Sequence, residues 1–325
     1  MSNSFKGSPI ASPQPSLLRQ FRSFYIRNYP NTLEEAVEYF AVFGGLGWEI
    51  DTDRPLIELI EEVILDNYGH LHNQIIDLTL GDSTYHALLS GIALGDRRTH
   101  SAFKRARVSE ETGKQAIRYL CQTGIIELEP SREIPPEKEH PKQRLKKEIE
   151  KHRISDKLHF TTPFLRFWFS FVSPLFKGIQ KGNYDEVKTR FANRDQAFAS
   201  LVFENLSIEL LKKSFEDDPI MEVGSYWDRQ VEIDILAKTK SGRIIVGECK
   251  YTNTKVNKSE LSKIREKCTL AGFEPDIIAL FAKRGFSNEL KSLQDKSLRL
   301  YSLDDFKRLL EEIKPEEMIK GLPKP

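Results

Sequence analysis

The chain has 325 residues, of which 39% are hydrophobic and 30% are charged, and its formal net charge is +1. This length predicts about two domains with packed cores, and the near-neutral charge neither requires nor excludes a nucleic-acid partner. The sequence lacks both the apolar run of roughly 18 residues that a membrane span needs and the hydrophobic region of a signal peptide. Three scattered cysteines are too few for a disulfide framework or a zinc site, so we expect a cytoplasmic protein without a membrane partner.

The N-terminal quarter is predicted to be helical after a short lead. Residues 1–16 are rich in serine and proline, which is typical of a flexible N-terminus. Residues 17–80 contain the helical patterns SLLRQFRSFYIRN, NTLEEAVEYFAVFG and PLIELIEEVILDNY. Thr32 is predicted to cap the second helix. This periodicity indicates a small helical subdomain or a dimerisation surface, and both interpretations stay open.

Residues 81–160 are predicted to form a winged helix-turn-helix. Thr99 is expected to cap its second helix and Ser109 its third, and IIELEP follows as the first wing strand. Basic residues on the third helix and the turn before it suit phosphate contacts and entry into the major groove of DNA. These residues are Lys104, Arg105, Arg107, Lys114 and Arg118. The alternative is a trihelical module that serves only protein contacts.

Two unusual segments follow the predicted recognition helix. Residues 130–157 form a charged, proline-punctuated insertion, either a long wing tip or an interdomain linker. Next comes the most aromatic stretch of the chain, LHFTTPFLRFWFSFVSP. Clustered aromatic side chains chiefly supply buried area, so we expect this stretch to pack in a core between the winged helix and the following domain, with base stacking as the alternative.

Residues 161–325 are predicted to form an α/β domain, which makes the whole chain α+β. From Arg194 the pattern runs α-β-β-β-α-β-α-β-α, and strands that alternate with helices indicate a sheet covered on its faces. A lysine-rich helix follows the third strand and carries Lys255, Lys258, Lys263, Arg265 and Lys267 on it or just before it. These charges are expected either to contact a nucleic-acid backbone or to form an ordinary solvated face.

The centre of this domain is a predicted hairpin, VEIDILAKTKSGRIIVGECKY, at residues 231–251. A three-residue loop that sets Thr239 opposite Arg243 also sets Asp234 directly opposite Glu248. Side chains alternate between faces, so Lys250 joins Glu248 on one face. Like charges opposite each other are destabilising, and a divalent cation would remove this cost. A solvent-facing hairpin with a salt bridge between Lys250 and a carboxylate is the plainer alternative.

The spacing of Asp234 and Glu248-Cys249-Lys250 resembles the signature of the PD-(D/E)xK nuclease superfamily. Ile233 stands where that signature often has proline. The resemblance implies Mg²⁺ or Mn²⁺ as cofactor, held by the carboxylates of Asp234 and Glu248 and by the carbonyl of Cys249. It also implies that Lys250 assists the attacking water, and that Glu204 in AFASLVFENLSIELL supplies a further acidic residue from the preceding helix.

Over residues 83–315 the order of these blocks is similar to the C-terminal part of the archaeal-type AAA ATPases, which includes the DUF234 region. VEYFAVFGGLGWEI faintly resembles the ATPase lid of that family. The sequence has no G-x-x-x-x-G-K-[ST] motif, and few residues precede the lid-like segment. We therefore expect a relative without the ATPase core and without ATP as a ligand.

Two functions from different classes remain open at this point. The first is a metal-dependent deoxyribonuclease that the winged helix directs to DNA. The second is a catalytically silent DNA-binding or regulatory protein whose nuclease-like domain is a scaffold or a partner surface, with a homodimer or a protein partner. The filled positions at Asp234, Glu248, Lys250 and Glu204 favour the first function.

Overall fold

The computed structural model describes residues 15–134 and 153–311. The predicted flexible N-terminus and much of the charged insertion therefore lie outside the described residues. The described chain divides into two compact units. The first comprises residues 15–128, 158–210 and 303–311, and the second comprises residues 129–134, 153–157 and 211–302. Along these stretches no helix combines the length and apolar character that a membrane crossing requires.

The first unit is largely helical. Its elements before the aromatic stretch are α1 (Leu17–Asn28), α2 (Leu33–Phe43), α3 (Leu56–Leu59), a π-helical turn (Ile60–Leu65), α4 (Tyr68–Leu78), α5 (Ser83–Ala93), α6 (Thr99–Ala106), α7 (Glu110–Gln122) and strand β1 (Ile126–Glu129). Strand β2 (Lys157–Phe160), which pairs with β1, then leads to α8 (Pro163–Phe167), a π-helical turn (Trp168–Val172), a 3₁₀ turn (Ser173–Leu175), α9 (Phe176–Ile179), α10 (Asp185–Ala192) and the long α11 (Asp195–Lys213).

Capping chemistry explains where the early helices begin. Thr32 and Glu35 form the reciprocal pair of hydrogen bonds of a capping box, which confirms the predicted start of α2. Ser109 accepts a hydrogen bond from the backbone of Thr112 at the start of α7, also as predicted. The prediction that Thr99 caps α6 is wrong. Asp96 instead bonds the backbone N–H of Arg98 and the hydroxyl of Ser101, so the helix begins one residue earlier.

Helices α5, α6 and α7 and strands β1 and β2 occupy the predicted positions of a winged helix-turn-helix. A close contact between α6 and α7 depends on a missing side chain. A Cβ on Gly113 would lie 2.3 Å from the ring of Phe103, which is itself buried. Glycine is therefore required in the interior of α7 although it weakens a helix.

The aromatic stretch is part of the core of the first unit, as predicted. Phe164, Phe167, Trp168, Phe169 and Phe171 are all buried. Phe167 and Phe171 make edge-to-face contacts with rings from α10 and α11. Such contacts add to the stabilisation from buried apolar area, which explains why the sequence concentrates rings here.

The second unit is built on a five-stranded mixed sheet in the order β3-β4-β5-β6-β7. Its elements are β3 (Ile220–Trp227), β4 (Glu232–Thr239), β5 (Ile244–Lys250), α12 (Lys258–Ala271), β6 (Ile277–Ala282), α13 (Asn288–Ser292) and β7 (Leu298–Ser302), and a 3₁₀ helix (Leu303–Leu310) follows in the first unit. β3, β4 and β5 are antiparallel, whereas β5, β6 and β7 are parallel. The predicted α/β class is confirmed, and so is the predicted order of elements, except that the last predicted α-helix is the 3₁₀ helix that begins at Leu303.

The central hairpin has the predicted register. Ile235 pairs with Gly247 and Leu236 with Val246, and the N–H of Thr239 bonds the carbonyl of Arg243 across the loop. Gly242 has a φ of 91°, which glycine adopts without strain. Asp218 holds the loop from outside, since its carboxylate accepts hydrogen bonds from Ser241 and from the guanidinium of Arg243.

One face of this sheet packs against α12. Val246, Ile278 and Leu280 from the strands form a core cluster with Leu261 and Ile264 from the helix. The same helix brings charged side chains over the end of β5, where the core gives way to polar residues.

Glu129 and Arg132 compensate for an irregularity in the pairing of β3. The pairing of β3 with β4 shifts register between Gly224 and Tyr226, which removes Ser225 from regular pairing. Glu129 accepts hydrogen bonds from the N–H and hydroxyl of Ser225, while Arg132 donates to the carbonyls of Val223 and Ser225. The start of the predicted insertion therefore braces the sheet.

Candidate active site

The hairpin brings three of the predicted site residues together. Asp234 lies one position beyond the pair Ile235–Gly247, so that Glu248 is directly across from it. The Oδ2 atom of Asp234 accepts a hydrogen bond of 2.8 Å from the N–H of Cys249. The carboxylate of Asp234 therefore lies against the peptide that joins Glu248 to Cys249.

Glu248 is a buried carboxylate between two ammonium groups. Its side chain is only 8% exposed. Lys250 donates to Oε1 at 2.9 Å, and Lys267 from α12 contacts both oxygens at 2.9 and 2.7 Å. Burial of a carboxylate is costly unless it is paired, and these two lysines compensate that cost.

Lys250 joins two carboxylates. It lies 2.9 Å from Glu248 and 3.2 Å from Glu260 of α12. Burial of the Lys250 ammonium lowers its pKa, but the two carboxylates more than offset this, and the net pKa is raised above the ordinary value for lysine. Lys250 is therefore a cation at neutral pH and acts as a fixed positive charge rather than as a base. The salt bridge of the plainer alternative is present, although Glu248 is not solvent-facing.

The basic residues of α12 serve mainly as ion-pair partners. Lys267 pairs with Glu248, Lys263 with Glu260, and Lys258 with Glu289 of α13. Lys263 remains 62% exposed, as expected for a solvated helix face. These lysines therefore have a structural role as ion-pair partners. The sequence alone did not distinguish this role from binding to a nucleic-acid backbone.

Glu260 and Lys267 are the participants that sequence reasoning missed at this site. They lie seven residues apart, so two helical turns place them on the same side of α12. This spacing is a readable signal in the sequence. The direction in which that side of the helix points becomes known only once the helix is docked on the sheet.

The donor set suits a magnesium ion that keeps most of its water. Mg²⁺ is commonly held by one or two carboxylates, with waters and phosphate oxygens completing its shell. Asp234 and Glu248 supply two carboxylates on one face of the hairpin. Within residues 15–134 and 153–311, no group of three or more His, Cys, Asp or Glu side chains is arranged to hold a metal.

Glu204, the fourth predicted catalytic residue, belongs to the first unit. It lies on α11 and lines a cavity of that unit together with Arg97, Arg166 and Arg194. Asp234, Glu248 and Lys250 belong to the second unit.

The five basic residues predicted to bind DNA are all exposed, on α6, on α7 or on the turn between them. Lys104 and Arg105 lie in the last turn of α6, and Arg107 follows that helix with a φ of 56°. Lys114 pairs with Glu110 at 2.6 Å, and the Nε atom of Arg118 lies 3.4 Å from the carbonyl of Lys114. Glu110 and Glu111 in the first turn of α7 partly offset this positive charge.

The comparisons with known proteins find a family likeness over part of the chain. No curated protein and no solved structure matches the chain significantly. A family model does match, and the matched region runs from Trp168 in the aromatic stretch to Ile264 in α12, so it includes Glu204, Asp234, Glu248 and Lys250. Residues 168–264 thus match the model of DUF234, a family described as archaea bacterial proteins of unknown function.

Proposed function

We propose that the protein is a metal-dependent phosphodiesterase that acts on DNA. The observation that carries this proposal is the hairpin register, which sets Asp234 opposite Glu248 and places Lys250 on the same face as Glu248. Two carboxylates on adjacent strands, with a cation beside one of them, are groups suited to metal-dependent hydrolysis of a phosphodiester.

The chain's own residues have distinct parts in this proposal. Asp234 and Glu248 would hold Mg²⁺ or Mn²⁺, with the Cys249 carbonyl as a further oxygen donor. The metal, when bound, supplies a polarised phosphate and a more acidic water. Lys250 offsets the negative charge that develops on the phosphate, since it remains protonated at neutral pH. The exposed basic residues of α6 and α7 would contact the DNA backbone.

A second candidate is a silent nuclease-like scaffold, and one observation favours it. Both oxygens of Glu248 already contact ammonium groups, from Lys250 and Lys267. Lys267 therefore competes with a cation for Glu248. In a scaffold this ion-pair cluster would be purely structural, and the protein would bind DNA or a protein partner without cleaving.

The decisive experiment combines calorimetry with a cleavage assay. Mg²⁺ and Mn²⁺ are titrated into wild type, Asp234→Ala, Lys250→Ala and Glu222→Gln, where Glu222 is an exposed carboxylate on β3. Duplex, single-stranded and branched DNA are then incubated with each protein. We expect Asp234→Ala to lose metal binding and cleavage, Lys250→Ala to lose cleavage alone, and Glu222→Gln to behave as wild type.

Two outcomes would contradict the nuclease proposal. One is that wild type and Lys250→Ala are equally inert on every DNA while both still bind it, which favours the scaffold. The other is that Asp234→Ala cleaves as well as wild type, which would trace any activity to a different site or to a contaminant.

A further inference from the structure

We infer that the first unit contains a binding site for a small phosphorylated ligand, in the cavity between α5, α8, the π-helical turn after α8 and α11. The cavity has a volume of about 350 Å³. The residues of the proposed nuclease site other than Glu204 do not line it. The inference is therefore independent of whether the hairpin cleaves DNA.

The wall of the cavity carries a net positive charge. Its ionisable lining residues are Arg97, Arg166, Arg194 and Glu204, which amount to three positive charges and one negative charge. Guanidinium groups present paired N–H donors that match the oxygens of a phosphate. A phosphate monoester carries about two negative charges at neutral pH, which complements the net charge of the wall.

Arg166 is held in place before any ligand arrives. Its guanidinium carbon lies 3.7 Å from the centre of the Phe198 ring, and its Nη2 donates to the carbonyl of Phe198. Burial and the charge of Arg97 lower the pKa of Arg166 to about 9, although Glu204 partly offsets this lowering. A cation in this environment gains strongly from a nearby anion, because little water is available to solvate it.

Arg97 has an unusual backbone conformation and a side chain held by a neighbouring histidine. Its φ is 67°, in the left-handed region that a side chain other than glycine or asparagine rarely adopts. Its guanidinium lies 3.3 Å from Nδ1 of His159, which fixes the direction of the side chain. Backbone strain of this kind is concentrated at functional sites.

The rest of the wall specifies an organic rather than an inorganic ligand. Apolar groups from Ile92, Phe160, Phe171 and Leu201 line the cavity beside the arginines. Ser170 and Ser200 supply hydroxyls. A polar end for phosphate and an apolar wall for a ring are the features of a site for a nucleoside monophosphate or a sugar phosphate.

The test measures binding of adenosine monophosphate, ribose 5-phosphate, inorganic phosphate and adenosine to the full chain by calorimetry. We expect both phosphate esters to bind, inorganic phosphate to bind more weakly, and adenosine not to bind. Arg194→Gln should weaken binding of the esters by about tenfold, since it removes one charge-assisted hydrogen bond. Arg194 is exposed at the cavity mouth, so this variant should fold.

Two further variants make the test specific to this cavity. Arg190→Gln removes an equal charge from α10, where Arg190 pairs with Glu186 outside the cavity wall, and should leave affinity unchanged. Glu204→Gln removes the only carboxylate in the wall and should strengthen binding of the esters several-fold. The inference is overturned if no phosphate ester binds at millimolar concentration, or if Arg194→Gln and Arg190→Gln weaken binding equally.

Discussion

At the scale of single residues, two carboxylates of the same hairpin differ in their hydrogen-bond partners. Asp234 and Glu248 are both carboxylates on one hairpin, yet Asp234 accepts a backbone N–H while Glu248 is held by two lysines. The pairing of Asp234 with Glu248 was predictable from strand alternation and a three-residue loop. The contact from Lys267 was not, because its position over β5 depends on how α12 docks on the sheet.

Lys267 offers a direct test of the metal site. We predict that Lys267→Met raises the affinity for Mn²⁺ several-fold, because the ammonium and the metal compete for both oxygens of Glu248. The same change should lower the free energy of unfolding by about 1–3 kcal/mol, since a buried carboxylate loses a partner. Calorimetry and urea unfolding measure the two effects.

Lys263→Met is the matched control for this prediction. Lys263 lies on the same helix, is 62% exposed and pairs with the half-buried Glu260. Its loss should change neither quantity appreciably, because it does not contact Glu248 and an ion pair with an exposed partner contributes little. Equal Mn²⁺ affinities for wild type and both variants would mean that the carboxylate of Glu248 is not a metal ligand.

The environment of His86 predicts how the free energy of unfolding depends on mildly acidic pH. Thr79 Oγ1 donates its proton to the carbonyl of Ile75 at 2.7 Å, so that Nε2 of His86, 2.8 Å away, is assigned as the donor to Thr79. Burial lowers the pKa of His86, and the charge of His72 lowers it further while Asp82 raises it. The His86 ring in the folded protein therefore takes up the proton that makes it a cation less readily than the same ring in the unfolded chain.

The free energy of unfolding should accordingly fall as the pH drops below about 6.5 and stop falling once the pH passes the folded pKa of His86. His86→Gln should reduce that dependence, whereas His100→Gln, at an exposed position, should not. Urea unfolding between neutral pH and mildly acidic pH measures this. A wild-type profile that His86→Gln leaves unchanged would assign the acid sensitivity to another group.

At the scale of elements, the sequence predicted the alternation of strands and helices in the second unit and the hairpin register. It missed α4, although the buried residues Tyr68, Leu71, Ile75 and Leu78 have helical spacing, and it did not distinguish the π-helical turns from α-helix. The brace that Glu129 and Arg132 place on β3 was also missed. Nothing in the local pattern shows that Ser225 leaves regular pairing.

The packing of α6 on α7 can be tested with a pair of glycines. Gly113→Ala should destabilise the protein by about 1–3 kcal/mol despite the better helix propensity of alanine, because its Cβ would meet the buried ring of Phe103. Gly69→Ala in α4 should be neutral or stabilise by up to about 1 kcal/mol, since nothing lies within 4 Å of that Cβ. Thermal unfolding of both variants measures the difference. Equal stability changes would mean that α6 and α7 are not in close contact in solution.

For the whole molecule, a net charge of +1 excludes a strong overall attraction to DNA. Any affinity must come from local basic surface, and the exposed residues of α6 and α7 are the predicted source. Composition alone therefore did not predict a DNA partner, and the predicted contact depends on the winged-helix pattern.

The salt dependence of DNA binding tests that surface. The double variant Lys114→Ala/Arg118→Ala should bind more weakly and flatten the plot of log affinity against log salt by about one unit for each lost phosphate contact. Lys177→Ala/Lys181→Ala removes two exposed charges elsewhere in the first unit and should keep the wild-type slope. Fluorescence anisotropy over a range of salt concentrations measures both slopes, and identical slopes would place the DNA contact outside α7.

The π-helical turn at Trp168–Val172 has a consequence for how this chain can change during evolution. The N–H of Ser173 bonds the carbonyl of Trp168, five residues back, so the turn holds one residue more than a regular helix would. Loss of a single codon here would restore a regular helix and rotate every later side chain of the segment by about 100°. Ser170 and Phe171 would then leave the cavity wall they now line. Length variation among natural relatives should therefore be rarer at this turn than in neighbouring loops.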